Sequence, residues 1–305
     1  MARRKLSEAL RWQITGMHDT DGRQNYRERS PQHNIGKQDT LENNPLHDAC
    51  RKGDLGRVRR ILSRGVVDVN SRDKKRGRTP LTMAAQKGHR KIFDLLMRKG
   101  ANVTLVDAYG HNILHWACLG GHIAMVRYVL SQYSVDVNSR TKSGSTPLMK
   151  AAYCGHRNVS DYLVCMGANI SLVDEDDDSI LHWACRGGHA KMVKHILAQD
   201  LVNITRRGIY GRTPLMRAAY YGHREVFDIL VSEGAQISSV DDMGYNILHL
   251  ASLGGNVEMV KYILSQNLAD INARDKDGDT AAMMARRGGH RAVCDLLVSI
   301  GCPVQ

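Results

Sequence analysis

The sequence predicts an all-α protein, a solenoid of stacked helix-turn-helix units. Four similar segments begin at Thr79, Thr146, Thr213 and Thr280, and each starts 67 residues after the one before. Between them lie segments of a second form that begin at Asn112, Ser179 and Asn246, again 67 residues apart. A fixed period of 33 or 34 residues is typical of repeat proteins built from one small helical unit.

One further copy begins at Asn44, and an additional residue in the following loop, DKKRGR, lengthens its step to 35 residues. We therefore expect about eight repeats over residues 44–305, starting near 44, 79, 112, 146, 179, 213, 246 and 280. Residues 1–43 carry 8 Lys and Arg against 6 Asp and Glu and have few large apolar side chains after Trp12 and Ile14. This composition predicts a disordered polar and basic tail.

Every repeat opens with a side chain that can cap a helix. These residues are Asn44, Thr79, Asn112, Thr146, Ser179, Thr213, Asn246 and Thr280. Nine residues after each cap stands a Gly, which suits the left-handed end of a helix, so the first helix has about two turns. A second apolar pattern follows and ends at another Gly, as at Gly100. In the second form that Gly is replaced by Tyr133, Asp200 or Asn267, which predicts a less regular exit there.

Neither helix is long enough to be stable alone, so each repeat must bury its apolar side on its neighbours. The Thr-Pro-Leu segments, the Gly-His pairs and the Asp-Val-Asn of VVDVNSRD resemble the ankyrin repeat over residues 44–305. The resemblance implies short β-hairpin loops and a concave face that binds a protein partner. It also implies that His47, His115, His182 and His249 hydrogen-bond the backbone of adjacent loops, a structural role instead of a catalytic one.

In this resemblance the positions four, seven and eight residues after the cap face the concave groove. The predicted partner-binding residues are Trp116, Leu119, Lys150, Tyr153, Trp183, Arg186, Arg217, Tyr220 and Tyr221. The two Trp side chains could equally pack on neighbouring repeats, whereas the Tyr and Arg side chains are harder to explain as core. Because the repeats carry a net charge of about +10, we expect an acidic partner with apolar anchors.

The chain shows no signature of catalysis. It lacks Gly-x-Ser-x-Gly, a phosphate-binding Gly-rich loop and His-Glu-x-x-His, so we expect no enzyme activity, no cofactor and no metal. The acidic run from Asp174 to Asp178 is interpreted as a solvated loop tip. The 7 Cys form no Cys-x-x-Cys pair. No long apolar run or secretory leader is present. We therefore expect a monomer of the cytoplasm or nucleus without membrane contact.

Two further hypotheses concern the repeats. The net charge of +12 keeps a basic nucleic-acid-associated module as the alternative function, although Lys and Arg recur through most repeats instead of forming one stripe. The family resemblance also implies asparagine hydroxylation, and Asn70, Asn138 and Asn272 match the motif that the hydroxylase favours. The alternative for these three residues is a hydrogen bond within their own loop.

Overall fold

The computed structural model describes residues 44–304, and the predicted tail over residues 1–43 lies outside them. The described part contains sixteen α-helices in eight successive pairs and one 3-10 turn, Ile209–Gly211. The helices are α1 (Pro45–Lys52), α2 (Leu55–Ser63), α3 (Pro80–Gln86), α4 (Arg90–Arg98), α5 (Ile113–Gly120), α6 (Ile123–Gln132), α7 (Pro147–Tyr153), α8 (Arg157–Cys165), α9 (Ile180–Gly187), α10 (Ala190–Leu197), α11 (Pro214–Tyr221), α12 (Arg224–Ser232), α13 (Ile247–Leu253), α14 (Val257–Ser265), α15 (Ala281–Arg287) and α16 (Arg291–Ser299). The predicted all-α class of stacked helix pairs is confirmed.

The chain divides into two compact units. Among the described residues, unit 1 holds residues 44–147 and 165–167, and unit 2 holds residues 148–164 and 168–304. Within unit 1 the first helices of the pairs, α1, α3 and α5, pack in order, and α2 packs beside α4. Within unit 2 the first helices α9, α11, α13 and α15 form the same kind of row. Each unit is thus a stack of helix pairs whose contacts run from one repeat to the next.

The predicted helix signals are present in the structure. Thr79 Oγ1 accepts a hydrogen bond from Thr82 N at 3.3 Å, and Asn112 Oδ1 accepts one from Leu114 N at 3.1 Å. The Gly nine residues after each cap has a φ between +70° and +77°, where a side chain would strain the backbone. The loop histidines also behave as the resemblance implied, since His115 Nε2 lies 3.2 Å from Ser145 O.

One local prediction needs correction. Asp200 and Asn267, each with a φ of +52°, adopt the left-handed conformation of the Gly they replace, so only Tyr133, at φ −131°, gives an irregular exit. The hairpin loops carry little regular β structure, since the single β pairing among residues 44–304 is an isolated bridge between Val173 and Ser179. Backbone and side-chain hydrogen bonds close each loop: Asp107 N, for example, donates to His111 O at 3.0 Å, and Asp107 Oδ1 accepts hydrogen bonds from two following backbone amides.

Candidate protein-binding surface

Four half-buried side chains meet on unit 2 at the ends of successive first helices. Tyr153 ends α7, Arg186 lies in the last turn of α9, and Tyr220 and Tyr221 end α11. The Arg186 guanidinium carbon lies 5.8 Å from the Tyr153 ring centre and 5.7 Å from that of Tyr221, and the two adjacent Tyr rings meet edge to face at 4.9 Å. We call these four residues the aromatic-basic cluster. Each keeps part of its side chain open to solvent.

A layer of buried polar residues supports the cluster from below. The Trp183 ring is 6% exposed, and the ammonium group of the buried Lys150 lies 4.2 Å from its centre. Arg186 approaches the same ring at 5.4 Å, and Tyr153 meets it edge to face at 5.9 Å. Trp183 Nε1 donates a hydrogen bond to Asp174 Oδ2 at 2.9 Å. The indole is therefore held in one orientation, which places Tyr153 and Arg186.

A buried ion pair lies beside this layer. Arg217 Nη2 donates to Asp178 Oδ2 at 2.6 Å, and both side chains are about 10% exposed or less. Burial by itself raises the pKa of the Asp178 carboxyl, but the positive charge of Arg217 overcomes it and holds that pKa below its usual value. Gly208 leaves the space that this carboxylate fills, since a Cβ there would lie 1.9 Å from Asp178 Oδ1.

These contacts correct two interpretations of the sequence. The acidic run is not simply a solvated tip, because its end residues Asp174 and Asp178 are only 7% and 6% exposed. Arg217 is also well explained as core, since its charge is compensated inside the unit. The sequence contained a signal for this pair: only the sixth repeat has Arg at the fourth position after the cap, and a buried Arg requires an acidic partner.

Two groups in this layer have strongly shifted pKa values. Burial and the nearby charge of Asp178 raise the pKa of the Asp174 carboxyl to about 7. Burial lowers the pKa of His182 to about 4, against the attraction of Asp178. The imidazole is therefore neutral at pH 7 and bonds the backbone, with Nε2 3.1 Å from Arg212 O.

The first helices of unit 2 approach each other closely at the cluster. A Cβ on Gly187 would lie 2.0 Å from Tyr153 O, so only Gly allows α9 to reach this distance from α7. A Cβ on Gly254 would likewise lie 1.9 Å from Tyr220 O. These two glycines bring the ends of consecutive helices together and keep the cluster compact. Sequence reasoning missed this role, although the Gly-Gly pairs of the second form were its signal.

The two predicted site residues of unit 1 are buried. Trp116 is 1% exposed and Leu119 is 7% exposed. The Trp116 ring packs 5.4 Å from the His111 ring, and the Arg78 guanidinium lies 5.3 Å from its centre. Trp116 therefore fills the inside of unit 1, as Lys150, Trp183 and Arg217 fill the inside of unit 2. Of the nine predicted residues, the four of the aromatic-basic cluster remain open to a partner.

The three Asn residues proposed for hydroxylation lie after the second helix of their repeats. Asn70 Nδ2 donates to Gly100 O at 3.2 Å and Asn138 Nδ2 donates to Gly167 O at 3.1 Å, so each links its loop to the next repeat. Asn272 is exposed. The backbone amides of all three donate to the Asp two residues earlier, for example Asn272 N to Asp270 Oδ1 at 2.9 Å.

The charges of the two units differ, although Lys and Arg recur through most repeats. Residues 44–147 carry 19 Lys and Arg against 7 Asp and Glu, a net charge of +12. The remaining repeats, residues 148–305, carry 16 Lys and Arg against 18 Asp and Glu, a net charge of −2. The long-range attraction for acidic partners therefore belongs to unit 1. The aromatic-basic cluster lies in a unit whose charges nearly balance.

Helix pairs that stack through their neighbours and expose a compact set of side chains define a helical repeat protein of the binding class. The family model described as Ankyrin repeats (3 copies) matches residues 2–107, 95–174, 166–241 and 233–305. The chain belongs to the ankyrin-repeat family. Ankyrin repeats serve as scaffolds for protein–protein interaction.

Several known proteins are similar to the chain. It is 33% identical over 218 residues to the human transient receptor potential cation channel subfamily A member 1, a match that covers 69% of this chain and 19% of the channel. It is 27% identical over 243 residues to palmitoyltransferase AKR1 of Lachancea kluyveri, with 78% of this chain and 28% of the transferase covered. Ankyrin repeat protein nuc-2 of Neurospora crassa is 27% identical over 251 residues, covering 82% of this chain and 23% of that protein.

The chain thus spans less than a third of each of these relatives. In the part that the structure describes, no helix has the length and apolar character needed to cross a membrane. Over the same residues no three His, Cys, Asp or Glu side chains are grouped so as to hold a metal ion.

Proposed function

We propose that the chain is a non-catalytic scaffold that holds a protein partner on the aromatic-basic cluster of unit 2. The observation that carries the proposal is the arrangement of Tyr153, Arg186, Tyr220 and Tyr221 at consecutive helix ends, half open to solvent and supported from below. Tyr and Arg dominate interface energetics because they bury large areas at modest entropic cost and carry polar groups.

Preorganisation supports the same proposal. Arg186 lies within 6 Å of three aromatic rings, and Trp183 beneath it is fixed by its hydrogen bond to Asp174. A partner would therefore lose little entropy in ordering these side chains, and more of the contact energy would remain as affinity. The chemistry fits a segment that offers an apolar or aromatic side chain to the Tyr rings and a carboxylate to Arg186.

The experiment is affinity capture with the full chain and two double variants. Arg186→Ala with Tyr221→Ala removes the centre of the cluster. Arg224→Ala with Tyr262→Ala is the matched control, because it removes an Arg and a Tyr from second helices of unit 2. The Arg224 guanidinium carbon lies 4.1 Å from the centre of the Tyr262 ring. We expect the first variant to lose the proteins that the native chain retains and the second to keep them.

Equal retention by the cluster variant and the native chain, with both folded by circular dichroism, would overturn the proposal. Capture should also survive raised salt better than a purely ionic contact would, because the Tyr rings contribute apolar area that salt does not screen.

A further inference from the structure

We infer that unit 1 carries a second binding surface, which takes the phosphate backbone of double-stranded nucleic acid without reading its sequence. The surface is formed by six basic side chains on the neighbouring second helices α2 and α4 and just beyond them. These residues are Arg59, Arg60, Arg64, Lys91, Arg98 and Lys99, and all are exposed. We call them the basic face.

The basic face has little acidic compensation. Helix α2 contains no Asp or Glu between Leu55 and Ser63, and α4 contains only Asp94, which pairs with Arg90. Asp48 is shared by Arg51, Lys52 and Arg57. Arg59, Arg60 and Arg64 form no ion pair with any residue of the described range. Several uncompensated cations on adjacent helices give the concentrated positive field that a phosphate polymer requires.

The second helices of unit 2 are different, with the exception of α10, which carries Lys191 and Lys194 and no Asp or Glu. In α12, Arg224 pairs with Asp228 and the helix also carries Glu225, and in α16 Arg291 pairs with Asp295. The positive field is therefore a property of unit 1 and not of the repeat architecture. It is also separate from the aromatic-basic cluster, which lies on the first helices of unit 2.

The lack of exposed apolar and aromatic side chains on the basic face selects the class of partner. The one aromatic residue of α2 and α4, Phe93, is 0% exposed, so neither helix offers single-stranded nucleic acid a ring on which to stack its bases. Val66, at 86% exposure, is the only large apolar side chain near the end of α2 that is strongly exposed, too little to anchor in a lipid surface. Without an apolar anchor a protein partner would lack a desolvated centre for its interface.

The partner that fits the basic face is a polymer with regularly spaced phosphates, which binds without base stacking and without inserting an apolar group. Arg predominates on α2, and its planar guanidinium binds phosphate oxygens in pairs. Contacts of this kind position a protein on a duplex and carry no sequence information. We therefore expect binding that depends on salt and not on base sequence.

The test is fluorescence anisotropy with the full chain and a labelled 20-base-pair DNA duplex of arbitrary sequence. The probe variant is Arg59→Glu, Arg60→Glu and Arg64→Glu together. Lys191→Glu, Arg224→Glu and Arg291→Glu together form the matched control, which changes the net charge equally on exposed second-helix positions of unit 2. Circular dichroism establishes that all three proteins are folded.

We expect the native chain to bind the duplex with an affinity that falls steeply as salt rises. The probe variant should bind more than about tenfold more weakly, with a salt slope smaller by about 2 to 3, since each lost phosphate contact removes about 0.9 from that slope. The control should bind within about threefold of the native chain, since its three charges do not belong to the basic face and exposed charges are screened by salt.

Three outcomes would overturn the inference. Equal weakening of the probe variant and the control would show an effect of net charge without a defined surface. Stronger binding to the single strand of the same sequence would point to base stacking. Tighter binding to phosphatidylserine vesicles than to the duplex would assign the basic face to a membrane surface instead.

Discussion

Unit 1 and unit 2 are built from the same helix pair, yet residues 44–147 carry a net charge of +12 and residues 148–305 a net charge of −2. Unit 1 leaves its cations exposed on second helices, as at Arg60 and Arg64. Unit 2 buries the ion pair of Asp178 and Arg217 and exposes Tyr rings around Arg186. Caps, loop histidines and left-handed glycines maintain the fold in both units, so the remaining positions are free to acquire different binding chemistry.

The largest difference expected between the units concerns the removal of one acidic side chain. Asp178→Ala leaves the guanidinium of Arg217 buried without a counter-charge, and we expect a loss of about 3 to 5 kcal/mol in unfolding free energy. Asp48→Ala in unit 1 removes a carboxylate whose three basic partners are 41% to 53% exposed, and should cost under about 1 kcal/mol. Urea denaturation of both variants measures this difference. Similar losses would contradict the contrast between buried and exposed charge.

A smaller effect is expected from glycine replacements inside unit 2. Gly155 and Gly289 end first helices with φ of +73° and +75°, so Val strains the backbone at either by about 1 to 2 kcal/mol. At Gly155 the new Cβ would also lie 2.5 Å from the His189 ring, whereas nothing lies within 4 Å at Gly289. Thermal unfolding should therefore show Gly155→Val to be the more damaging change. If Gly289→Val lowered the melting temperature as much, neighbour contacts would not govern stability here.

The pH dependence of the unfolding free energy should differ between the native chain and a variant without Asp174. The folded pKa of this carboxyl is raised to about 7, above its value of about 3.9 in the unfolded chain. The stability contributed by the protonated group is complete below about pH 4 and is lost as the pH rises through 7. Relative to Asp174→Asn, which does not titrate, the native chain should become less stable between pH 4 and 8. Parallel unfolding curves over that range would show that Asp174 is not protonated in the folded chain.

The smallest effect concerns hydroxylation, which we expect at different rates among the three candidate residues. The side-chain amides of Asn70 and Asn138 donate to Gly100 O and Gly167 O, whereas Asn272 is exposed. An asparaginyl hydroxylase must pull its target away from such bonds, so added oxygen should appear first on Asn272. Peptide mass spectrometry over time measures the order. Oxygen on none of the three would end the hypothesis, and faster modification of Asn70 would contradict the role of its hydrogen bond.

Much of the repeat fold could be predicted from the sequence because its signals are local and recur. The cap at Thr79 and the turn glycine at Gly88 act within a few residues of their own position, so eight copies make the pattern plain. The binding surface could be predicted only in part. Whether Arg186 is open and Arg217 buried depends on the neighbouring loop, where Gly208 makes room for Asp178. Such contacts join different repeats at single places, and periodicity does not reveal them.

The two units should bind different partners through separate sets of residues. The native chain and two variants are each assayed for protein capture and for duplex binding. The unit 2 variant carries Arg186→Ala and Tyr221→Ala. The unit 1 variant carries Arg59→Glu, Arg60→Glu and Arg64→Glu. We expect the unit 2 variant to lose capture and keep the duplex, and the unit 1 variant to lose the duplex and keep capture. A folded variant that loses both activities would contradict this separation.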